Sequence, residues 1–200
     1  MVRVLPFLLG FALVGAHFLF FHKPEIVHAH GVTAPGDPVQ TRIENPQRFS
    51  LDGEYLVTPL AEFRLTARVL SRRSYFWGKE SRLCPVDLAL GWGPMSDSRL
   101  LSYLDISQRS RRYLWRADEL PVPVRDIQTH SANMHLIPAS PEVRKTLLKA
   151  RKGHLVELSG KLVRINAKEG WYWQSSLSRN DTGDGACEVV WVEKLALKPH

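Results

Sequence analysis

The chain has 200 residues, of which 44% are hydrophobic and 24% charged, proportions that exclude both a disordered chain and a protein wholly embedded in a membrane. Its net charge of +7 and pI near 9.6 direct attention to anionic partners, although net charge governs solubility and loose association rather than fold or chemistry. Once an apolar start and a polar linker are set aside, about 150 residues remain, enough for one domain.

The start is Val4 to Phe21, a run without a charged residue. As a helix it reaches about 27 Å, close to the hydrocarbon thickness of a bilayer. Such a run is too apolar on every face for a surface helix of a soluble domain. Bulky Phe18, Leu19, Phe20 and Phe21 stand where a cleavable signal needs small residues. The expectation is therefore an uncleaved anchor over residues 1–22 with membrane contact through residues 4–21. Arg3 would stay in the cytoplasm and the rest of the chain would lie in the periplasm or outside the cell. Secretion after cleavage, for which Val27-His28-Ala29 offers a site, is the alternative. Residues 23–47 carry Pro24, Pro35, Gly36, Pro38 and Pro46 and read as a flexible tether. Residues 48–200 are then the folded extracytoplasmic domain.

Within that domain Glu62 to Val69 alternates, with Phe63, Leu65, Ala67 and Val69 on one side and Arg64, Thr66 and Arg68 on the other. That is a strand with one buried face. Ser96 or Asp97 caps a short helix through Leu100, Leu101 and Leu104. Arg111 to Arg116 alternates again, and Pro121 and Pro123 hold the next passage extended. Ser140-Pro141-Glu142 combines an N-cap, a proline at the first helical position and an acid in the first turn, and Gly153 stops the segment. Three further strands are expected: His154–Ile165 with a bend at Gly160, Trp171–Leu177, and Cys187–Leu195. Strands, a helix and more strands at short spacing predict a mainly β (α+β) fold, a small antiparallel barrel or twisted sheet with one or two short helices. A five-stranded oligonucleotide/oligosaccharide-binding (OB) type of barrel fits that pattern best.

The stretches PVDLALGWGPMSD (85–97), THSANMHLIPA (129–139) and SSLSRNDTGDGACE (175–188) resemble an uncharacterised family of exported bacterial proteins. The resemblance implies a location in the bacterial envelope. No activity comes with it.

Cys84 and Cys187 suit an oxidising compartment, where they would close a disulfide; otherwise they are two separate buried thiols. Among polar groups, Asp87, His130, Asn133 and His135 form the candidate site, since two imidazoles near a carboxylate can bind zinc or exchange protons near neutral pH. The spacing of five between His130 and His135 sends them to opposite faces of an extended segment. The serines at 175, 176 and 178 lack a nucleophile elbow. Asn180 to Gly185 offers half of a calcium loop, but Trp191 stands where its closing glutamate belongs. No metal is assigned, and no cofactor is expected.

The basic and aromatic clusters carry more. Arg72, Arg73 and Trp77 form one, and Arg111, Tyr113 and Trp115, on one strand face, form the other. Guanidinium groups fork onto phosphate or carboxylate while aromatic rings stack on sugars or bases. Core aromatics alternating with solvated arginines would give the same pattern. The function expected is thus non-enzymatic binding of an anionic polymer, a lipid headgroup or an envelope protein, with nucleic acid less favoured. An envelope hydrolase or metalloenzyme on His130 and His135, and an accessory subunit of a membrane complex, are the alternatives.

Overall fold

The computed structural model describes residues 25–181, 183 and 185–198. The expected anchor over residues 1–22 lies outside them, and among the described residues no helix is long and apolar enough to cross a membrane.

The architecture is mainly β. In chain order the strands are β1 (Val39–Arg42), β2 (Phe49–Leu51), β3 (Tyr55–Ser74), β4 (Val86–Gly91), β5 (Asp105–Arg109), β6 (Arg112–Arg116), β7 (Ser131–Pro138), β8 (Leu155–Ala167), β9 (Tyr172–Gln174) and β10 (Glu188–Lys198). Among the described residues four short α-helices punctuate them: α1 (Lys79–Leu83), α2 (Ser98–Leu101), α3 (Val124–Thr129) and α4 (Pro141–Leu147). The main sheet runs β3–β4–β7–β10–β8, and β8 also pairs with β3. All these pairings are antiparallel except β7 with β10, which is parallel. β1 and β2 add to β3, and β9 adds to β8, while β5 and β6 form a separate hairpin.

The alternation read over Glu62–Val69 is the middle of β3, and Phe63, Leu65, Ala67 and Val69 are all buried. They meet Leu88, Leu90, Met134, Leu136, Val156, Leu158 and Leu162 in the principal core. Val143, Leu147 and Ala150, from α4 and the turn after it, join that core. Each such side chain contributes about 1.5–3 kcal/mol by leaving water. Ser140 caps α4 by accepting a hydrogen bond from the Val143 N–H at 3.3 Å, and Asp97 caps α2 by accepting from Arg99 at 2.8 Å. Gly160, expected to bend its strand, has no room for a side chain: a Cβ there would stand 1.9 Å from the Trp191 carbonyl. The neighbouring strand is irregular between Val192 and Lys194.

Two outer clusters cover the other face. One gathers Val57, Ile165 and Val189 beneath Trp171, Trp173 and Trp191. The other gathers Leu70, Ala89, Met95 and Ile127 beneath Tyr113 and Trp115 of the hairpin. Residues 25–43, expected as tether, lie along the domain. The Ile26 N–H donates to the Lys152 carbonyl at 3.2 Å, Thr33 and Ala34 donate from their backbones to Ser96 Oγ, and β1 pairs with β3. The segment read as the strand Trp171–Leu177 keeps only Tyr172–Gln174 in the sheet.

Candidate functional site

Strands β4 and β7 are buried on both faces, and their register decides the site. Asp87 pairs with His135, Ala89 with Asn133 and Gly91 with Ser131. The period of two puts these side chains on the outer face, while Val86, Leu88, Met134 and Leu136 fill the principal core. Three polar residues of β7 thereby line up on the side that the hairpin and the two outer clusters cover.

Asp87 is the hub. Its Oδ1 accepts from Arg111 Nη1 at 2.9 Å and from the Cys84 thiol at 3.1 Å. Its Oδ2 stands 3.0 Å from His135 Nδ1, yet off the line of a hydrogen bond, so neither atom has such a bond among the described residues. Asp87 and Cys84 are fully buried and His135 is 3% exposed. Burial first, and the carboxylate of Asp87 second, push the Cys84 thiol well above its ordinary pKa. The ligating atoms of Cys84, Asp87 and His135 lie within 4.8 Å of one another.

Arg111 enters this cluster by a backbone device. Ser110 and Arg111 both have positive φ, 51° and 60°, which closes the β5–β6 hairpin in the mirror-image turn that matches strand twist. The guanidinium is then laid 4.0 Å over the Tyr75 ring and 5.4 Å from that of Trp173, and its Nη2 donates to the Cys84 carbonyl at 3.2 Å. The expected face of Arg111, Tyr113 and Trp115 is therefore not an exposed patch. Arg111 is spent on Asp87, and Tyr113 and Trp115 turn inward while Arg112, Leu114 and Arg116 are exposed. Of the other cluster, Arg72 is half-buried with its pKa lowered by desolvation, Arg73 is exposed, and Trp77 is 92% exposed beside Phe76 at 81%.

His130 does not join His135. It stands outside β7, as the C-cap of α3, where its Nδ1 bonds the Asp126 carbonyl at 2.8 Å and its ring packs on Gly93. Asn133 links the hairpin to β7: its Nδ2 donates to the Arg111 carbonyl at 2.9 Å and its Oδ1 accepts from Gln108 at 2.6 Å. The expected Cys84–Cys187 disulfide is not formed; both cysteines are free. Cys187 instead meets Asn133 Nδ2 and the Arg111 carbonyl at 3.8 and 3.9 Å, and burial raises its thiol to about 11.

A cleft of about 320 Å³ opens between the hairpin and the 178–188 segment. Trp92, Tyr113 and Trp115 supply aromatic walls, and Asn133, Arg179 and Glu188 supply polar groups. Glu188 is 1% exposed. Arg179 Nη1 approaches its Oε1 at 2.5 Å, but desolvation outweighs that charge and lifts the carboxyl to about 7. Glu188 Oε2, Arg179 Nε and Arg179 Nη2 have no hydrogen-bond partner among the described residues. Neither residue stood out as a site in the sequence. The available signal was an acid at the head of the apolar run Val189, Val190, where a charge needs a reason.

No family model, no curated protein and no solved structure matches this chain.

Proposed function

We propose that the chain is a non-enzymatic binding module of the bacterial envelope, tethered to the membrane by residues 4–21, and that it holds an anionic polymer segment in the cleft between the hairpin and the 178–188 segment. The observation that carries the reading is the pairing in one cleft of aromatic walls with a guanidinium whose Nε and Nη2 lack hydrogen-bond partners. A sugar ring stacks on Trp115 or Tyr113, and its carboxylate or phosphate meets Arg179 in the planar fork that guanidinium offers. Binding moves from the expected flat strand face into a cleft because Tyr113 and Trp115 face inward.

The OB-type barrel belongs to the same reading. The ring of pairings β3–β4–β7–β10–β8–β3, the parallel pair and α4 between β7 and β8 support a closed five-stranded barrel of that type, with β4 and β7 as its second and third strands. The second and third strands are where such barrels hold oligosaccharides and oligonucleotides. The alternative hydrolase or metalloenzyme built on two histidines loses its support with the separation of His130 from His135. The accessory-subunit reading keeps one observation, the exposed Phe76–Trp77 pair, which would serve as a contact for a membrane protein.

The test is titration of the full chain in detergent with acidic oligosaccharides, read by tryptophan fluorescence. Arg179→Gln and Trp115→Ala should each weaken binding about tenfold or more, as loss of a charge-assisted bond or a stacked ring does, and added salt should weaken it further. Binding indifferent to both substitutions, or lost only with Arg73 or Trp77, would place the partner elsewhere.

A further inference from the structure

Cys84, Asp87 and His135 have a feature that a plain buried ion pair lacks. Asp87 Oδ2 and His135 Nδ1 sit 3.0 Å apart, both essentially without solvent, and both without a hydrogen bond among the described residues. Two such atoms side by side are destabilising if nothing satisfies them. Neighbouring ligands of one ion lie in the same relation, since each directs its lone pair at a shared third point rather than at the other.

We infer that Cys84 Sγ, Asp87 Oδ2 and His135 Nδ1 form a site for one divalent transition metal of the zinc class. Ligands at about 2.0–2.3 Å from such an ion are about 3.3–3.7 Å from one another. One donor atom from each of the three residues falls within 4.8 Å of the others, Asp87 Oδ2 and His135 Nδ1 being 3.0 Å apart, so small side-chain rotations bring the set to that spacing. A thiolate with an imidazole and one carboxylate selects zinc, cobalt or copper over calcium and magnesium, which need oxygen sets. Arg111 does not compete for the open oxygen. It holds Oδ1 at 2.9 Å and so orients the carboxylate with Oδ2 toward His135, the part an outer-shell partner plays for a ligating acid. The thiol ionises on binding, and its thiolate and the Asp87 carboxylate together match the two charges of the ion.

Three protein ligands leave a fourth position, the arrangement of an accessible rather than a closed zinc site. His135 also borders a surface cavity with Arg111, Trp171, Trp173 and Cys187, which gives an ion and a water molecule a way in. Trp173 packs on the His135 ring at 4.4 Å between centroids and fixes its orientation. The site is separate from the cleft proposed above and stands or falls without it.

The test is cobalt titration of the reduced, chelator-treated full chain in detergent. The expected result is saturation at one equivalent with a thiolate-to-cobalt absorption band. Cys84→Ser should lose that band, His135→Gln should weaken binding by more than the roughly 100-fold that loss of an outer-shell partner can cost, and Cys187→Ser should change neither. In the wild-type chain, zinc at a hundredfold excess over its Kd should raise the melting temperature by about 5–10 °C, reversed by chelator. The zinc-induced shift needs no variant to fold. Absence of both band and shift overturns the inference, as does a band that survives Cys84→Ser or vanishes with Cys187→Ser.

Discussion

Among the described residues two carboxylates, Asp87 and Glu188, are buried, and each is paired with an arginine from a connecting segment, yet their surroundings differ. Asp87 is reached by Arg111, by the Cys84 thiol and by His135, and Arg111 itself is stacked on Tyr75 and bonded to the Cys84 carbonyl. Glu188 has a single side-chain partner among the described residues, Arg179, at the edge of an open cleft. The second arrangement leaves burial as the dominant influence, and the carboxyl rises to about 7 in spite of the cation beside it. An arginine nearby is therefore not enough to hold a buried acid such as Glu188 in its ordinary range. The first site is woven into the fold with its open atoms, Asp87 Oδ2 and His135 Nδ1, turned on each other, and the second has its open atoms on the wall of a cleft.

Removing the hub is the most severe way to break this comparison. Asp87→Ala in chelator-containing buffer strips Arg111 of its counter-ion and strands the Cys84 thiol and His135 in a dry interior. The expected cost is about 3–5 kcal/mol in denaturant unfolding, the range for a buried pair that loses one partner. A loss below about 1 kcal/mol would mean that water enters and rehydrates Arg111, and the contrast with Glu188 would collapse.

Next in size is a pH effect that belongs to Glu188. Its carboxyl sits at about 7 in the folded chain against an ordinary 4.5, so the native state holds the proton more tightly than the unfolded state. The stability this contributes is full below pH 4.5 and is lost as pH rises through 7. The difference amounts to about 3 kcal/mol, or about 6–12 °C in melting temperature for a domain of this size. Glu188→Gln should flatten that part of the curve whatever it does to absolute stability. A wild-type chain whose melting temperature holds constant from pH 5 to 8 would show that Arg179 keeps Glu188 ionised after all.

The legibility of these regions follows the burial of their strands. β3 carries a clean alternation, and the faces assigned to Phe63 through Val69 are those found; Ser140 and Asp97 cap helices where their residue types said they should. β4 and β7 are covered on both faces, so their apolar pattern does not alternate, and the polar row Ser131, Asn133, His135 was not among the strands expected. β1 lies among prolines and was indistinguishable from a tether. The β5–β6 turn uses Ser110 and Arg111 at positive φ, positions that usually announce themselves as Asn-Gly. Hence Arg111 read as a strand-face residue when it is the turn residue that reaches Asp87. The convergence of Cys84, Asp87 and His135 depends on the β4–β7 register, which no local pattern encodes.

Between the two carboxylate sites stands Tyr113, and it supplies the smallest and most discriminating change. Its ring packs in the cluster beneath the hairpin and also walls the cleft, while its hydroxyl donates to Ser131 Oγ at 3.2 Å. Burial lifts the phenol to about 12, so it acts as a neutral donor throughout the range in which Glu188 titrates. Ser131 Oγ donates in turn to the Ile127 carbonyl at 2.6 Å and keeps that bond when the phenol is gone. Tyr113→Phe should therefore cost only about 0.5–1.5 kcal/mol, the net worth of one neutral hydrogen bond, and should leave the pH profile set by Glu188 unchanged. A larger loss, or a profile that moves, would mean that the hairpin couples the two sites through the β7 row, and the contrast between a woven site and an open one would have to be redrawn as a single network.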